Sequence, residues 1–81
     1  MKKIHITMFG GLKDYFPQQF ELTLNATSTG VNLIDHLISL QPESDKYLKV
    51  CQLAIQEAIF DKEQELPAGS EVVILPPFSG G

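Results

Sequence analysis

The sequence closes on Pro76-Pro77-Phe78-Ser79-Gly80-Gly81. A carboxylate on Gly81 is the group best suited by its setting to react. Two prolines end a strand, because proline brings no N–H to a ladder. The two glycines that follow carry no Cβ, so the terminal carboxylate can enter a channel that any side chain would block. Fully extended, residues 76–81 reach about 20 Å, long enough to thread into a partner's active site. The proline pair lowers the entropy lost on insertion, and Phe78 supplies an apolar anchor. A carboxylate is a poor electrophile until its oxygen becomes a leaving group. Adenylation by ATP does this. Attack by a sulfur nucleophile then yields a thiocarboxylate, and attack by an amine yields an isopeptide bond. Composition and spacing do not choose between the two.

Other reactive residues read as structural. His5 and His36 are the two imidazoles, and neither has Cys or His neighbours at metal-ligand spacing. Gly10-Gly11 lacks the Lys-Ser or Lys-Thr of a phosphate loop and reads as a turn. Cys51, the single cysteine, cannot form an internal disulfide. It opens an apolar run, where a buried thiol acts as a small hydrophobe. Asp61, Glu63 and Glu65 form a solvated charged loop. These residues give no reason to expect a bound metal or cofactor, or catalysis by the chain on its own.

The elements that must position the tail follow from periodicity. Ile4, Ile6 and Met8 alternate with polar positions, as do Phe20, Leu22 and Leu24, predicting two strands joined as an antiparallel hairpin. A helical turn fits Leu12 to Phe16. Thr27-Ser28-Thr29-Gly30 offers helix caps. Val31, Ile34, Leu37 and Ile38 recur at helical spacing, which predicts a helix from about Val31 to Leu40 that stops before Pro42. A short second helix is expected over 44–49. Cys51, Leu53 and Ile55 predict a third strand, and Ile59-Phe60 a short edge strand. Gly69 takes the positive-φ position of a turn. Val72 to Leu75 is continuously apolar, as for a central strand buried on both faces. The expected fold is α+β, a β-grasp (ubiquitin-like) roll. A mixed four- to five-stranded sheet carries one main helix across it, with residues 1–75 as the domain and 76–81 as an extended tail.

Composition narrows the function further. Eighty-one residues suit one small domain. Six lysines and no arginine stand against ten acidic residues, a net charge of −4. That balance argues against nucleic acid and for a basic partner surface. No run approaches the ~20 apolar residues of a membrane span. With one cysteine and no signal-peptide pattern, the expected location is the cytoplasm.

The ending resembles the Pro-Pro-x-Ser/Thr-Gly-Gly terminus of the molybdopterin synthase small-subunit (MoaD) family of ubiquitin-like sulfur carriers. Leu66, Gly69, Glu71 and Val72 fit that family's stretch before the last strand. Leu53-Ala54-Ile55-Gln56 is similar to its third strand, with Gln56 where Asn is common. Leu12-Lys13-Asp14 is similar to its Arg-Glu segment, with Lys13 where Arg is common; lysine keeps the charge but cannot make the bidentate fork. The resemblance implies that an E1-like, MoeB-like enzyme adenylates Gly81 with ATP. Sulfur from a cysteine desulfurase then makes the thiocarboxylate. Pro76, Pro77, Phe78, Ser79 and Gly80 insert into a MoaE-like large subunit, which supplies the catalytic residues. The sulfur passes to cyclic pyranopterin monophosphate on the way to molybdenum cofactor, in a heterotetramer of two small and two large subunits. The alternatives are a carrier of the thiazole type, whose usual ending lacks Pro-Pro-x-Ser, and a protein modifier, whose tail more often carries Arg. Phe9, Phe60, Phe78 and the outer side of the last strand are candidate partner contacts, Phe9 and Phe60 being read as core residues first.

Overall fold

The computed structural model describes residues 1–76. Its strands are β1 (Lys2–Met8), β2 (Gln19–Leu24), β3 (Gln52–Ile55), β4 (Ala58–Phe60) and β5 (Glu71–Leu75). They form one sheet in the order β2-β1-β5-β3-β4. β1 and β5 run parallel at its centre, and every other pair is antiparallel. Helix α1 (Gly30–Leu40) packs across one face, followed by a 3-10 turn at Pro42–Ser44 and the single-turn α2 (Asp45–Leu48). This is the mixed five-stranded β-grasp roll that the periodicities predict.

Local chemistry sets the helix ends. Thr29 caps α1: its Oγ1 accepts from the Asn32 backbone N–H at 3.2 Å, and its own N–H donates to Asn32 Oδ1 at 2.9 Å. Two further amides of the first turn find partners in a loop, Val31 N–H donating to Lys62 O at 2.9 Å and Gly30 N–H to Gln64 O at 3.3 Å. Together they satisfy donors a helix start leaves open. Gly30 is needed for this approach. A Cβ there would lie 2.8 Å from both Lys62 Cα and Leu53 Cδ1. At the other end, Pro42 stops the helix one residue beyond its cap, Gln41.

The core forms where the helix stripe meets one face of the sheet. Ile4, Ile6, Met8, Leu53, Val72 and Ile74 meet Leu33, Ile34 and Leu37, and Leu12, Leu48, Cys51 and Leu66 close its ends. One expectation is corrected. β5 is central, yet its burial alternates, with Val72 and Ile74 buried and Val73 and Leu75 only half-buried. The described elements place one helical layer on one side, so the other face of the sheet stays open despite the unbroken apolar run. Phe9 is corrected too. It follows β1 on the outward phase and is 42% exposed, whereas Phe60 packs partly buried against the core.

Candidate functional site

The candidate site begins where β5 ends. The parallel pairing of β1 with β5 runs to Met8 opposite Ile74, and on the other flank Leu75 pairs with Gln52 of β3. The chain therefore leaves the middle of the sheet with hydrogen-bonded neighbours on both sides, which fixes the base of any tail. Pro76 follows at once and lies against Gly10, whose φ is +59°. Gly10 opens a 3-10 turn (Gly10–Asp14) that carries Lys13, exposed, near the same end. Next to it, Gly11 abuts Tyr47: a Cβ on Gly11 would meet the phenol oxygen at 3.0 Å. Tyr47 in turn lies 6.1 Å from the Tyr15 ring, with the Lys46 ammonium 5.4 Å above its own ring. Pro77, Phe78, Ser79, Gly80 and Gly81 lie outside the described residues.

The open sheet face adjoins this exit. Register places Ile59, Ala54 and Val73 in one row across β4, β3 and β5. Ile59 is 63% exposed. Leu75 points to the same face, one step nearer Pro76. Toward the start of β5 the face turns polar. Glu21, His5 and Glu71 form a row across β2, β1 and β5, and His5 Nδ1 sits 3.0 Å from Glu21 Oε2. The side near the tail is thus apolar and the far side acidic.

The remaining sequence candidates are dispersed. His5 belongs to that outer row, while His36 is exposed on α1, and the two share no site. Among the described residues no group of three or more His, Cys, Asp or Glu could hold a metal. Cys51 is fully buried just before β3, its thiol donating to Leu48 O at 3.2 Å. Burial pushes that thiol above its ordinary value, only partly offset by the charge of Lys62. A buried, neutral thiol is a poor nucleophile. The acidic loop is exposed and held locally, with Glu63 N–H donating to Asp61 Oδ1 at 2.9 Å. An open groove of about 540 Å³, lined in part by Gln56, Ser70 and Glu71, lies at the start of β5, the opposite end of that strand from Pro76.

Two features escaped the sequence reading. Lys2 is buried, although its phase with Ile4 and Ile6 signals an inward side chain. Gly10 does more than turn the chain, since it accommodates Pro76. Among the described residues no helix is long and apolar enough to cross a membrane.

Comparison with known proteins agrees with this arrangement. The ThiS family matches residues 6–81. A molybdopterin synthase sulfur carrier subunit of Chlamydomonas reinhardtii is 38% identical over 66 residues, 79% of this chain and 77% of that protein. A subunit of the same description from Dictyostelium discoideum is 36% identical over 56 residues, 67% of this chain and 65% of its own length. The match thus spans just under two thirds of the Dictyostelium protein. Among solved structures, Haloferax volcanii small archaeal modifier protein 1 superposes with a TM-score of 0.80 at 13% identity, over 96% of this chain and 100% of that one. The Helicobacter pylori complex of subunits 1 and 2 of molybdopterin-converting factor contains a chain that superposes at 0.67 with 22% identity, over 98% of this chain and 99% of that one. These two structures establish the fold, and the sequence matches establish the kinship. The chain belongs to the ThiS family and is a relative of the molybdopterin synthase sulfur carrier subunits.

Proposed function

We propose that this chain is the sulfur-carrying small subunit of a molybdopterin synthase. One observation carries the reading: the Pro-Pro-Phe-Ser-Gly-Gly ending leaves directly from the central strand, so a bare diglycine follows a base held on both flanks. In this reading an E1-like, MoeB-like enzyme joins the Gly81 carboxylate to AMP from ATP, releasing pyrophosphate. A sulfur nucleophile forms the new C–S bond at the acyl carbon while AMP departs with the C–O bond electrons. The resulting thiocarboxylate enters the active site of a MoaE-like large subunit through Pro76, Pro77, Phe78, Ser79 and Gly80 and donates sulfur to cyclic pyranopterin monophosphate. ATP acts in the activating enzyme and this chain binds no cofactor. The assembly is a heterotetramer with two large subunits, working in the cytoplasm. The apolar row of Ile59, Ala54 and Val73 next to the exit suits a protein partner.

Incubation with ATP, the activating enzyme and sulfide should exchange one oxygen for sulfur at Gly81, read by intact-mass and fragment spectrometry. An unchanged mass, under conditions that sulfurate a known carrier, would overturn the proposal. Deletion of Gly81 should abolish transfer while circular dichroism stays unchanged. Two other readings have a specific observation behind them. The Gly-Gly ending is compatible with isopeptide formation, and the ThiS family match leaves room for a thiazole-type carrier. Co-purification with a MoaE-like large subunit selects the synthase. Conjugates on lysine, found by peptide mapping, select the modifier.

A further inference from the structure

Gly10 and Pro76 lie 66 positions apart in sequence but meet where the two central strands leave the sheet. Beyond the Met8–Ile74 pair the β1 chain turns aside at Gly10 with φ +59°, and the β5 chain runs on to Pro76. The bare Cα of Gly10 faces the proline ring. A Cβ there would lie 2.9 Å from Pro76 Cγ and 4.0 Å from its Cβ and Cδ, with the first distance well inside the ~3.5–4.0 Å of two carbons in contact. The ring's one internal freedom is the pucker at Cγ, so an overlap that puckering does not absorb must move the backbone. Its φ is fixed, and the proline that follows holds Pro76 in the extended region. Backbone relief displaces either the Gly10 turn or the chain at Pro76, and a displacement at Pro76 changes the direction in which the chain leaves the sheet.

We propose that Gly10 is a positioning residue for the C-terminal tail, setting through its contact with Pro76 the direction in which residues 77–81 are presented. The inference rests on the carrier reading above for its functional consequence, but not for the contact itself. The lever is long. Drawn out in a partner's channel, five residues at about 3.3 Å each would span about 16 Å. A 10° swing at its base then displaces the tip by roughly 3 Å, and an error of about 1 Å in a reacting atom can cost on the order of a hundredfold in rate.

Gly69 supplies the control. It also has positive φ, +76°, but nothing lies within 4 Å of where its Cβ would be, and it precedes β5 at the far end, with its N–H donating to Lys3 O. Gly69→Ala thus adds a backbone penalty of the same kind without a collision. The test compares wild type, G10A, G69A, P76A and G10A/P76A. Urea denaturation should show similar small losses for G10A and G69A. The kcat/KM for thiocarboxylate formation by the activating enzyme should fall about ten- to a hundredfold in G10A alone. It should return in G10A/P76A to the level of P76A, the coupling expected of groups in contact. Equal kcat/KM in G10A and G69A, or a loss that P76A does not relieve, would overturn the proposal.

Nuclear Overhauser contacts between the Gly10 α-protons and the Pro76 ring read the geometry without any enzyme. They should be present in wild type, and G10A, unlike G69A, should shift the amide signals of Phe78 to Gly81. A wild type that takes up no sulfur refutes the carrier reading, and the magnetic resonance arm then decides the role of Gly10 alone. Absence of the contact refutes that role whatever the activity. Should G10A fail to fold, P76A still reads the contact from the tail side: it is expected to shift the Gly10 and Gly11 amides, and unmoved amides would overturn the proposal.

Discussion

The ammonium of Lys2, on a side chain that is almost wholly buried, donates to the main-chain oxygens of Leu66 and Ser28, the latter at 3.1 Å. These acceptors lie 64 and 26 positions away in sequence. One side chain thus ties the first residue of β1 to the turn before α1 and to the segment before β5. A buried cation is tolerated only when its donors are matched. Here two carbonyls in the interior accept from it, and the Ser28 oxygen accepts from the Leu66 N–H as well, at 3.0 Å.

Lys2→Met keeps the apolar stem and removes the donor. It leaves the Leu66 oxygen without that donor, at about 1–3 kcal/mol, while Ser28 O keeps the Leu66 N–H at 3.0 Å and the desolvation of one charge is relieved. The stranded Leu66 carbonyl should dominate, with a net loss of roughly 1 kcal/mol in urea denaturation and no change in sulfur uptake at Gly81. A variant as stable as wild type would mean that water reaches the Leu66 carbonyl.

Much of the fold was legible because short-range pattern decides it. Ile4, Ile6 and Met8 repeat with period two and form the buried side of β1. Leu33, Ile34 and Leu37 repeat at helical spacing and are buried on α1. Pro42 and Gly69 punctuate where expected. The errors come from long-range terms. Val73 looks like an interior residue by composition, but its exposure depends on whether a second layer covers the sheet. The partners of Lys2 and the neighbour of Gly10 are set by the topology, and no local window contains them. The site was legible only as an ending: its motif lies in residues 76–81, whereas the groups that hold its base come from β1, β3 and the turn after β1.

The β3–β4 hairpin turns on Gln56 and Glu57, with φ values of +53° and +67°. A two-residue connection with both φ positive has the geometry of a type I′ turn, which favours Asn-Gly. Two ordinary side chains in the left-handed region cost about 1 kcal/mol each. Gln56→Asn with Glu57→Gly should therefore stabilise the fold by about 1 kcal/mol, raising Tm by about 4–8 °C for a domain of this size. Calorimetry measures it, and an unchanged or lower Tm would show that the two side chains make compensating contacts.

Cys51 links stability to alkaline pH. Burial raises its thiol above the ordinary 9.0, so the folded state holds the proton more tightly than the unfolded one. The sign follows from linkage. The contribution is complete below the unfolded value and is lost as pH rises from there through the folded value. Unfolding free energy measured by urea should decline above about pH 9, and Cys51→Ala should remove that part of the slope while lowering stability at neutral pH through the cavity it leaves. A thiol reagent should leave Cys51 unmodified in the native protein and label it in urea. Rapid native labelling would contradict the burial argument.

The open face of the sheet makes a separate prediction about assembly. Ile59 and Val73 lie in one cross-strand row beside the tail exit, and no described element covers them. In the carrier reading a partner that receives the tail approaches from this end, where Leu75 and the exposed Phe9 lie nearest the exit and this row continues the apolar surface. The acidic and imidazole row of Glu21, His5 and Glu71 lies farther off. Desolvated apolar contacts at the centre of an interface carry most of its energy. Val73→Glu should therefore weaken binding to the large subunit tenfold or more, about 1.4 kcal/mol. Thr23→Glu provides the control: it adds the same charge to an exposed position on β2, opposite Lys3 and away from the exit. Ile59→Ser removes apolar contact without adding charge, and at its exposure the fold should lose no more than about 0.5 kcal/mol. Titration calorimetry with the purified large subunit separates the cases. If Val73→Glu binds as well as Thr23→Glu, the large subunit takes the tail without docking on the sheet, and the carrier is held by residues 76–81 and the turn around Gly10 alone.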